Sequence, residues 1–200
     1  MIHIKKIRNT QDKRSINIKN STIHLKFFSL ETMRKIKSNL VLIGMPGSGK
    51  STVGVILAKM AAHDFVDTDV LIQTFNNRRL QDIVDIGGYI ALREIEEQVI
   101  LSLSLKNYVI ATGGSAVYSE SAMTHLKSDG IIIFLNVDVV SLAKRIGDFS
   151  ARGVAMRPDQ SFTELFEERY GLYARYADIT INCDSLDQEG VCEKIIKALI

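Results

Sequence analysis

Residues 44–52 read GMPGSGKST, and their types and spacing suit one kind of chemistry. Gly44, Gly47 and Gly49 permit backbone angles and close approaches that a Cβ would block, so successive amides, that of Ser48 among them, can point inward around phosphate oxygens. Lys50 supplies a point charge for β and γ phosphates, and the Ser51 hydroxyl can join the coordination of Mg²⁺. Thr52 follows in the first turn of a helix whose positive dipole end falls at the same spot. With glycine at about 7% of average composition, GxxxxGK[ST] arises by chance in roughly one chain in a hundred of this length. The stretch therefore implies a nucleoside triphosphate.

Three further groups carry reactive types. Asp67 and Asp69 stand two apart on what reads as an extended segment, which would turn both carboxylates the same way. One could serve Mg²⁺ or its water shell and the other an acceptor hydroxyl; the alternative is a pair of helix-capping aspartates. Gly113 and Gly114, followed by Ser115, would let a small substrate touch backbone amides, or would form a plain turn. Arg145, Arg152 and Arg157, with Arg169 beyond them, could bring positive charge over a phosphate in transit, or remain solvated surface residues.

The elements that must position these groups alternate along the chain. Leu40–Ile43 is a continuous branched run, as in a parallel strand covered on both faces. Thr52–Ala62 has helical spacing. Phe65 and Val66 begin a second short strand running into Asp67. Leu80–Ile86 reads as a short helix stopped at Gly87 and Gly88, and Tyr89–Leu105 as a longer one. That longer helix should turn Ile95, Val99 and Leu103 inward, and Arg93, Glu94, Glu96, Glu97 and Gln98 mostly outward. Tyr108–Ala111 is the third strand, Ser119–Lys127 a helix, Ile131–Leu135 the most apolar strand and Val139–Ile146 a helix. Residues 147–160 have neither period and read as a mobile loop. Phe162–Tyr176 is helical, Ile179–Asn182 a last strand and Val191–Ile200 a closing helix. Strands alternating with helices imply right-handed crossovers, hence an α/β fold of three layers, α/β/α, around a five-stranded parallel sheet.

Composition sets the outer bounds. Two hundred residues, 46% hydrophobic and 24% charged, describe one soluble globular domain. Cys183 and Cys192 stand nine apart with no metal-ligand spacing and read as reduced structural thiols of a cytoplasmic protein. No run approaches the ~18 apolar residues that a membrane crossing needs. The net charge of +2 hides an asymmetry: residues 1–38 hold ten bases and two acids, residues 39–200 hold 15 and 21. The leader, 1–38, is thus a basic extension without period, expected to be disordered. Met33 offers an alternative start, and a targeting segment is a further reading of the extension. The domain proper is 39–200, and its acidity argues against nucleic acid as a partner.

Taken together, the motifs resemble the shikimate kinases, small P-loop enzymes that phosphorylate shikimate from ATP. The resemblance runs from about Leu40 to Leu199. It rests on GMPGSGKST, FVDTD at 65–69, LREIE at 92–96, TGGSAV at 112–117, ARG at 151–153, and Glu168, Arg169, Tyr173, Ala177 and Asp178. It implies a P-loop kinase fold with a mobile lid, ATP and Mg²⁺ as cofactors, and a monomer acting on a small hydroxy acid. Asp67 would hold Mg²⁺ through water, with Ser51, and Asp69 would orient and deprotonate the substrate hydroxyl. Arg93 and Arg169 would grip the substrate carboxylate. Gly113 and Gly114 would contact ring hydroxyls, and Arg145 would stack near adenine. The lid arginine falls by interval at Arg152; the family's usual Arg-Pro pair occurs instead at Arg157 and Pro158.

Three departures bear on the substrate. Ser115 stands where the family typically has a third glycine, Leu92 where it has phenylalanine, and Gly153 where proline follows the lid arginine. A same-fold kinase acting on another hydroxylated acid or a polyol is therefore the alternative. A nucleotide-binding regulator without catalysis would be expected to lack Lys50, Asp69 or the loop arginines, and all are present.

Overall fold

A computed structural model of the chain describes residues 37–146 and 153–200. The leader up to residue 36, and the loop residues 147–152 with Arg152 among them, lie outside the described residues. Five strands, β1 (Asn39–Ile43), β2 (Asp64–Asp67), β3 (Tyr108–Ala111), β4 (Gly130–Asn136) and β5 (Ile179–Asn182), form one parallel sheet in the order β2-β3-β1-β4-β5. Val41 of β1 pairs with Ile110 on one side and Ile132 on the other. Leu40 through Ile43 are all buried, as a strand covered on both faces requires.

The strand order fixes the layers. The chain leaves β1 toward the β2 edge through α1 (Lys50–Ala61), while every later crossover runs toward the β5 edge. Right-handed connections then put α1 on one face and the later crossover helices on the other. Those helices are α2 (Thr68–Asn76), α3 (Leu80–Ser102), α4 (Glu120–Asp129), α5 (Val139–Ile146) and α6 (Phe162–Tyr176). The closing helix α7 (Gln188–Ala198) returns to pack against α1. Because β1 and β3 are neighbours whose chains depart in opposite directions, a crevice opens beyond their carboxyl ends, where such sheets bind ligands. Below it, the Thr112 amide and hydroxyl both donate to Leu42 O at 3.1 Å, tying the two strand ends together.

Several elements differ from the sequence reading. Residues 68–76 form a helix that the sequence did not announce, because its exposed face carries apolar Val70 and Phe75 and blurs the stripe ending at buried Ile72. The two helices expected around Gly87 and Gly88 meet as one broken helix, α3, with Gly88 at φ 76°, ψ 176°, and it ends at Ser102 rather than Leu105. The last helix starts three residues early because Asp187 accepts from the Gly190 amide at 2.8 Å and caps it. A 3₁₀ turn, Ala116–Tyr118, precedes α4.

The main core lies around β1, β3 and β4, and a smaller cluster of Ile72, Ile83, Leu92, Val99 and Ala155 joins α2 and α3 to the segment after the loop. Cys183 and Cys192 are buried free thiols, each pushed up to about 11 by burial. The described end of the leader is tied down: Lys37 Nζ donates to Lys127 O at 3.0 Å and Ser38 Oγ to Asp129 at 2.5 Å.

Candidate active site

The loop between β1 and α1 is crowded from behind. Gly44 has φ +146°, and a Cβ there would stand 2.8 Å from Leu135 O; Gly47 has φ +78°, and its Cβ would stand 2.7 Å from Ile146 Cγ1. Side chains are thus excluded from the bend, and the loop can close tightly before α1 starts at Lys50. Lys50 is buried, and its Nζ donates to Gly44 O at 2.8 Å and Met45 O at 2.9 Å. An ammonium has three donors, so one N–H is left for an anion. Burial lowers its pKa to about 8, against the opposing pull of Asp69 and Asp67.

A cavity of about 410 Å³ fills the crevice. Gly47, Gly49, Lys50, Ser51 and Thr52 line it, with Arg145 of α5. Asp69, Gly113, Gly114 and Arg169 line it as well. The structure therefore gathers most of the residues singled out in the sequence around one space. Gly44, Ser48, Asp67 and Arg93 stand outside its lining, as does Arg157, whose Nη1 is committed to Glu168 Oε2 at 3.1 Å.

The aspartates are not an extended pair. The chain turns into α2 at Thr68, and Asp67 becomes its N-cap, with Oδ1 accepting from the amides of Asp69 at 2.9 Å and Val70 at 3.4 Å. The capping alternative thus holds for Asp67, while the first turn of α2 carries Asp69 to the cavity wall. Buried Thr68 accepts from the Gly113 amide at 2.9 Å, locking the end of β2 to the loop after β3. Burial, and then the charge of Asp67, raises Asp69 to about 6, with Lys50 opposing. A carboxyl so placed is ionised at neutral pH and keeps affinity for a proton, as a general base needs.

Glu96 is the residue that sequence reasoning missed. It was expected outward, yet it is 2% exposed, because the buried stripe of α3 runs Leu92, Glu96, Val99, Ile100 rather than Ile95, Val99, Leu103. The signal was there: that stripe has the i, i+4, i+7, i+8 spacing, with one acid inside it. Ser115 Oγ donates to Glu96 Oε2, while Oε1 is buried without a hydrogen-bond partner. A Cβ at Gly113 would come within 2.6 Å of Asp69 Oδ1 and closer still to Glu96 Oε1, so only glycine lets both carboxyls reach this corner. Burial, then Asp69, raises Glu96 to about 7, while the Ser115 hydrogen bond pulls the other way.

The arginines divide. Arg169 is 1% exposed; its Nη2 donates to Ala155 O at 2.7 Å, and its Nε is buried without a partner. Arg93 is half-buried, its guanidinium 3.5 Å from the centre of the Tyr118 ring and its Nε and Nη2 buried without partners. Tyr173, fully buried, props the glycine loop by donating to Gly114 O at 2.6 Å. The departure at Gly153 has a direct cause: its φ is +59° and its amide donates to Gln81 Oε1 at 2.6 Å, neither of which proline could do.

For Mg²⁺ the donor set suits a hard cation that keeps its waters. Ser51 and Asp67 offer oxygens beside Lys50, and no group of three or more His, Cys, Asp or Glu able to hold a metal occurs among the described residues.

A parallel α/β sheet with a GxxxxGK[ST] loop at its switch point, and the Asp69 carboxyl lining the same cavity, has the architecture of a P-loop phosphotransferase acting on a hydroxyl group. The family model for shikimate kinase matches residues 46–200, and the chain belongs to that family. The shikimate kinase of Thermodesulfovibrio yellowstonii is 37% identical over 162 residues, 80% of this chain and 93% of that one. Among solved structures, the shikimate kinase of Aquifex aeolicus superposes with a TM-score of 0.70 at 33% identity, over 80% of this chain and 95% of that one. The Acinetobacter baumannii enzyme in complex with shikimate gives 0.76 at 27% identity, over 84% and 96%.

Proposed function

We propose that the chain transfers the γ-phosphoryl group of ATP to a hydroxyl of shikimate, giving shikimate 3-phosphate and ADP. The observation that carries this reading is that one cavity is lined by Lys50 and Ser51 together with Asp69 and Arg169. The family membership and the shikimate-bound neighbour support the substrate.

In this reading the amides of residues 44–51 and the Lys50 ammonium hold the triphosphate, and Arg145 lies against the adenine. Arg93 and Arg169, with three buried N–H-bearing nitrogens unpaired between them, take the carboxylate as a fork takes a fork. Gly113 and Gly114 meet the ring hydroxyls. Asp69 accepts the proton of the attacking hydroxyl as its oxygen bonds to the γ-phosphorus and the bond to the β–γ bridging oxygen breaks; ADP departs with that electron pair. Ser51 and Asp67 would hold Mg²⁺, which supplies neutralising charge on the phosphates. Positioning and charge carry most of the acceleration in such a loose transition state.

A second substrate, another hydroxylated acid or a polyol, is favoured by Ser115 and Leu92, both of which line the cavity. Coupled ADP production decides: saturable turnover at submillimolar shikimate is expected, whereas ATP binding without shikimate turnover would favour the alternative. A cytoplasmic monomer completes the reading; the two free buried thiols are in keeping with a reducing compartment.

A further inference from the structure

Tyr118 has no part in the chemistry above, yet both carboxylate-seeking arginines gather on it. The Arg93 guanidinium lies 3.5 Å from its ring centre and that of Arg169 5.4 Å. The two cations repel each other, and no salt bridge to an acid of the protein is made by either among the described residues. Arg169 is also tied by Nη2 to Ala155 O, but what the two cations share is an aromatic ring, whose negative face attracts a cation more strongly where water is excluded.

The ring itself is fixed at its far end: the Tyr118 hydroxyl donates to Glu168 Oε1 at 2.6 Å. Glu168 is in turn anchored by Gln160 Nε2 at 2.7 Å and Arg157 Nη1 at 3.1 Å. At the near end, Arg93 Nε and Nη2 and Arg169 Nε are buried without partners. Buried guanidinium donors left unpaired are costly, and an anion between them would satisfy several at once.

We propose that Tyr118 is a positioning residue for substrate selection: its ring assembles Arg93 and Arg169 into a preformed seat for a carboxylate, with their unpaired N–H groups as the contacts. The inference rests on the reading of the substrate as a hydroxy acid and deepens it, since it says why a carboxylate is demanded. The ring acts by holding the two guanidiniums before the substrate arrives, so its contribution falls on acid binding and not on phosphoryl transfer. The hydroxyl fixes the ring through Glu168 and reaches Arg169, and the ring has the larger share because the Arg93 guanidinium lies over its face at 3.5 Å.

Steady-state kinetics of the full chain with ATP and either shikimate or its methyl ester, in which the carboxylate is masked, test the proposal. Tyr118→Leu is expected to raise the KM for shikimate by about tenfold, with kcat and the KM for ATP within about twofold, and to leave the KM for the ester at its wild-type value. Tyr118→Phe, which keeps the ring and is the arm that does not depend on the leucine variant folding, is expected to hold the KM for shikimate within about threefold of wild type. An unchanged shikimate KM in Tyr118→Leu, an equal loss for acid and ester, a fall in kcat in its place, or a tenfold loss in Tyr118→Phe each overturns it. Wild-type enzyme inert toward shikimate overturns the substrate reading, and this inference with it; an active wild type with any of the other outcomes removes the inference alone.

Discussion

Asp69 and Glu96 meet beside Gly113, and the burial that gives Asp69 its affinity for a proton makes Glu96 a liability to the fold. Both carboxyls are raised, to about 6 and about 7, chiefly by loss of water. For Asp69 the consequence is kinetic: only its ionised form accepts a proton, so kcat/KM for shikimate should fall below about pH 6, and Asp69→Asn should lower kcat by about 10²–10³-fold while shikimate still binds. For Glu96 the consequence is stability. A folded-state value above the ordinary 4.5 means that the folded protein holds the proton more tightly than the unfolded chain. The stabilisation is complete below pH 4.5 and is lost as pH rises through about 7, on the order of 3 kcal/mol in all. Glu96→Gln, which cannot ionise, should therefore unfold at higher denaturant than wild type at pH 8 and show no such advantage at pH 4.5. Parallel urea titrations of the two proteins at both pH values measure the difference, and an equal gap at each would refute the assignment.

Asp67 serves two elements at once: it ends β2 and caps α2, and in the proposed mechanism it also faces the cation. The two roles separate by substitution. Asp67→Asn retains an oxygen able to accept from the Asp69 and Val70 amides, so its melting temperature should stay near wild type while the Mg²⁺ concentration for half-maximal activity rises. Asp67→Ala removes the cap as well and should lose about 1 kcal/mol of stability in addition; calorimetry with Mg²⁺-dependent kinetics distinguishes the pair. The sequence disclosed the strands because β1, β3 and β4 are built on continuous apolar runs, Leu40–Ile43, Tyr108–Ala111 and Ile131–Leu135, and because Ile179 and Ile181 alternate with Thr180 and Asn182 in β5. It disclosed the phosphate loop because the glycine spacing is dictated by backbone geometry alone. It did not disclose α2, whose first turn is what brings Asp69 to the cavity, since exposed Val70 and Phe75 spoil its amphipathic pattern. Nor did it disclose Glu96 or Tyr118: an acid on a buried stripe and a tyrosine in a 3₁₀ turn acquire roles only when α3, α6 and the loop after β3 converge, and no local period encodes that convergence.

At the scale of the whole chain, charge and architecture part company. Residues 1–32 carry seven bases and two acids, so a chain beginning at Met33 changes from a net +2 to −3. The relative from Thermodesulfovibrio yellowstonii is matched over 93% of its length by 80% of this chain, and the family match begins only at residue 46. The cavity, the sheet switch point and every pairing described for them lie between Lys37 and Ile200. Lys37 and Ser38 bind the end of α4 and the start of β4, so a chain from Met33 keeps those ties as well. We propose on these grounds that folding and turnover belong to the domain alone: the chain from Met33 should melt within about 2 °C of the full chain and show the same kcat and KM for both substrates. Any retention on DNA should be confined to the full chain and vanish steeply with salt, because it could arise only from the basic leader's contacts to phosphates. A shortened chain destabilised by more than about 1 kcal/mol, or slowed in turnover, would instead make residues 1–32 part of the catalytic domain.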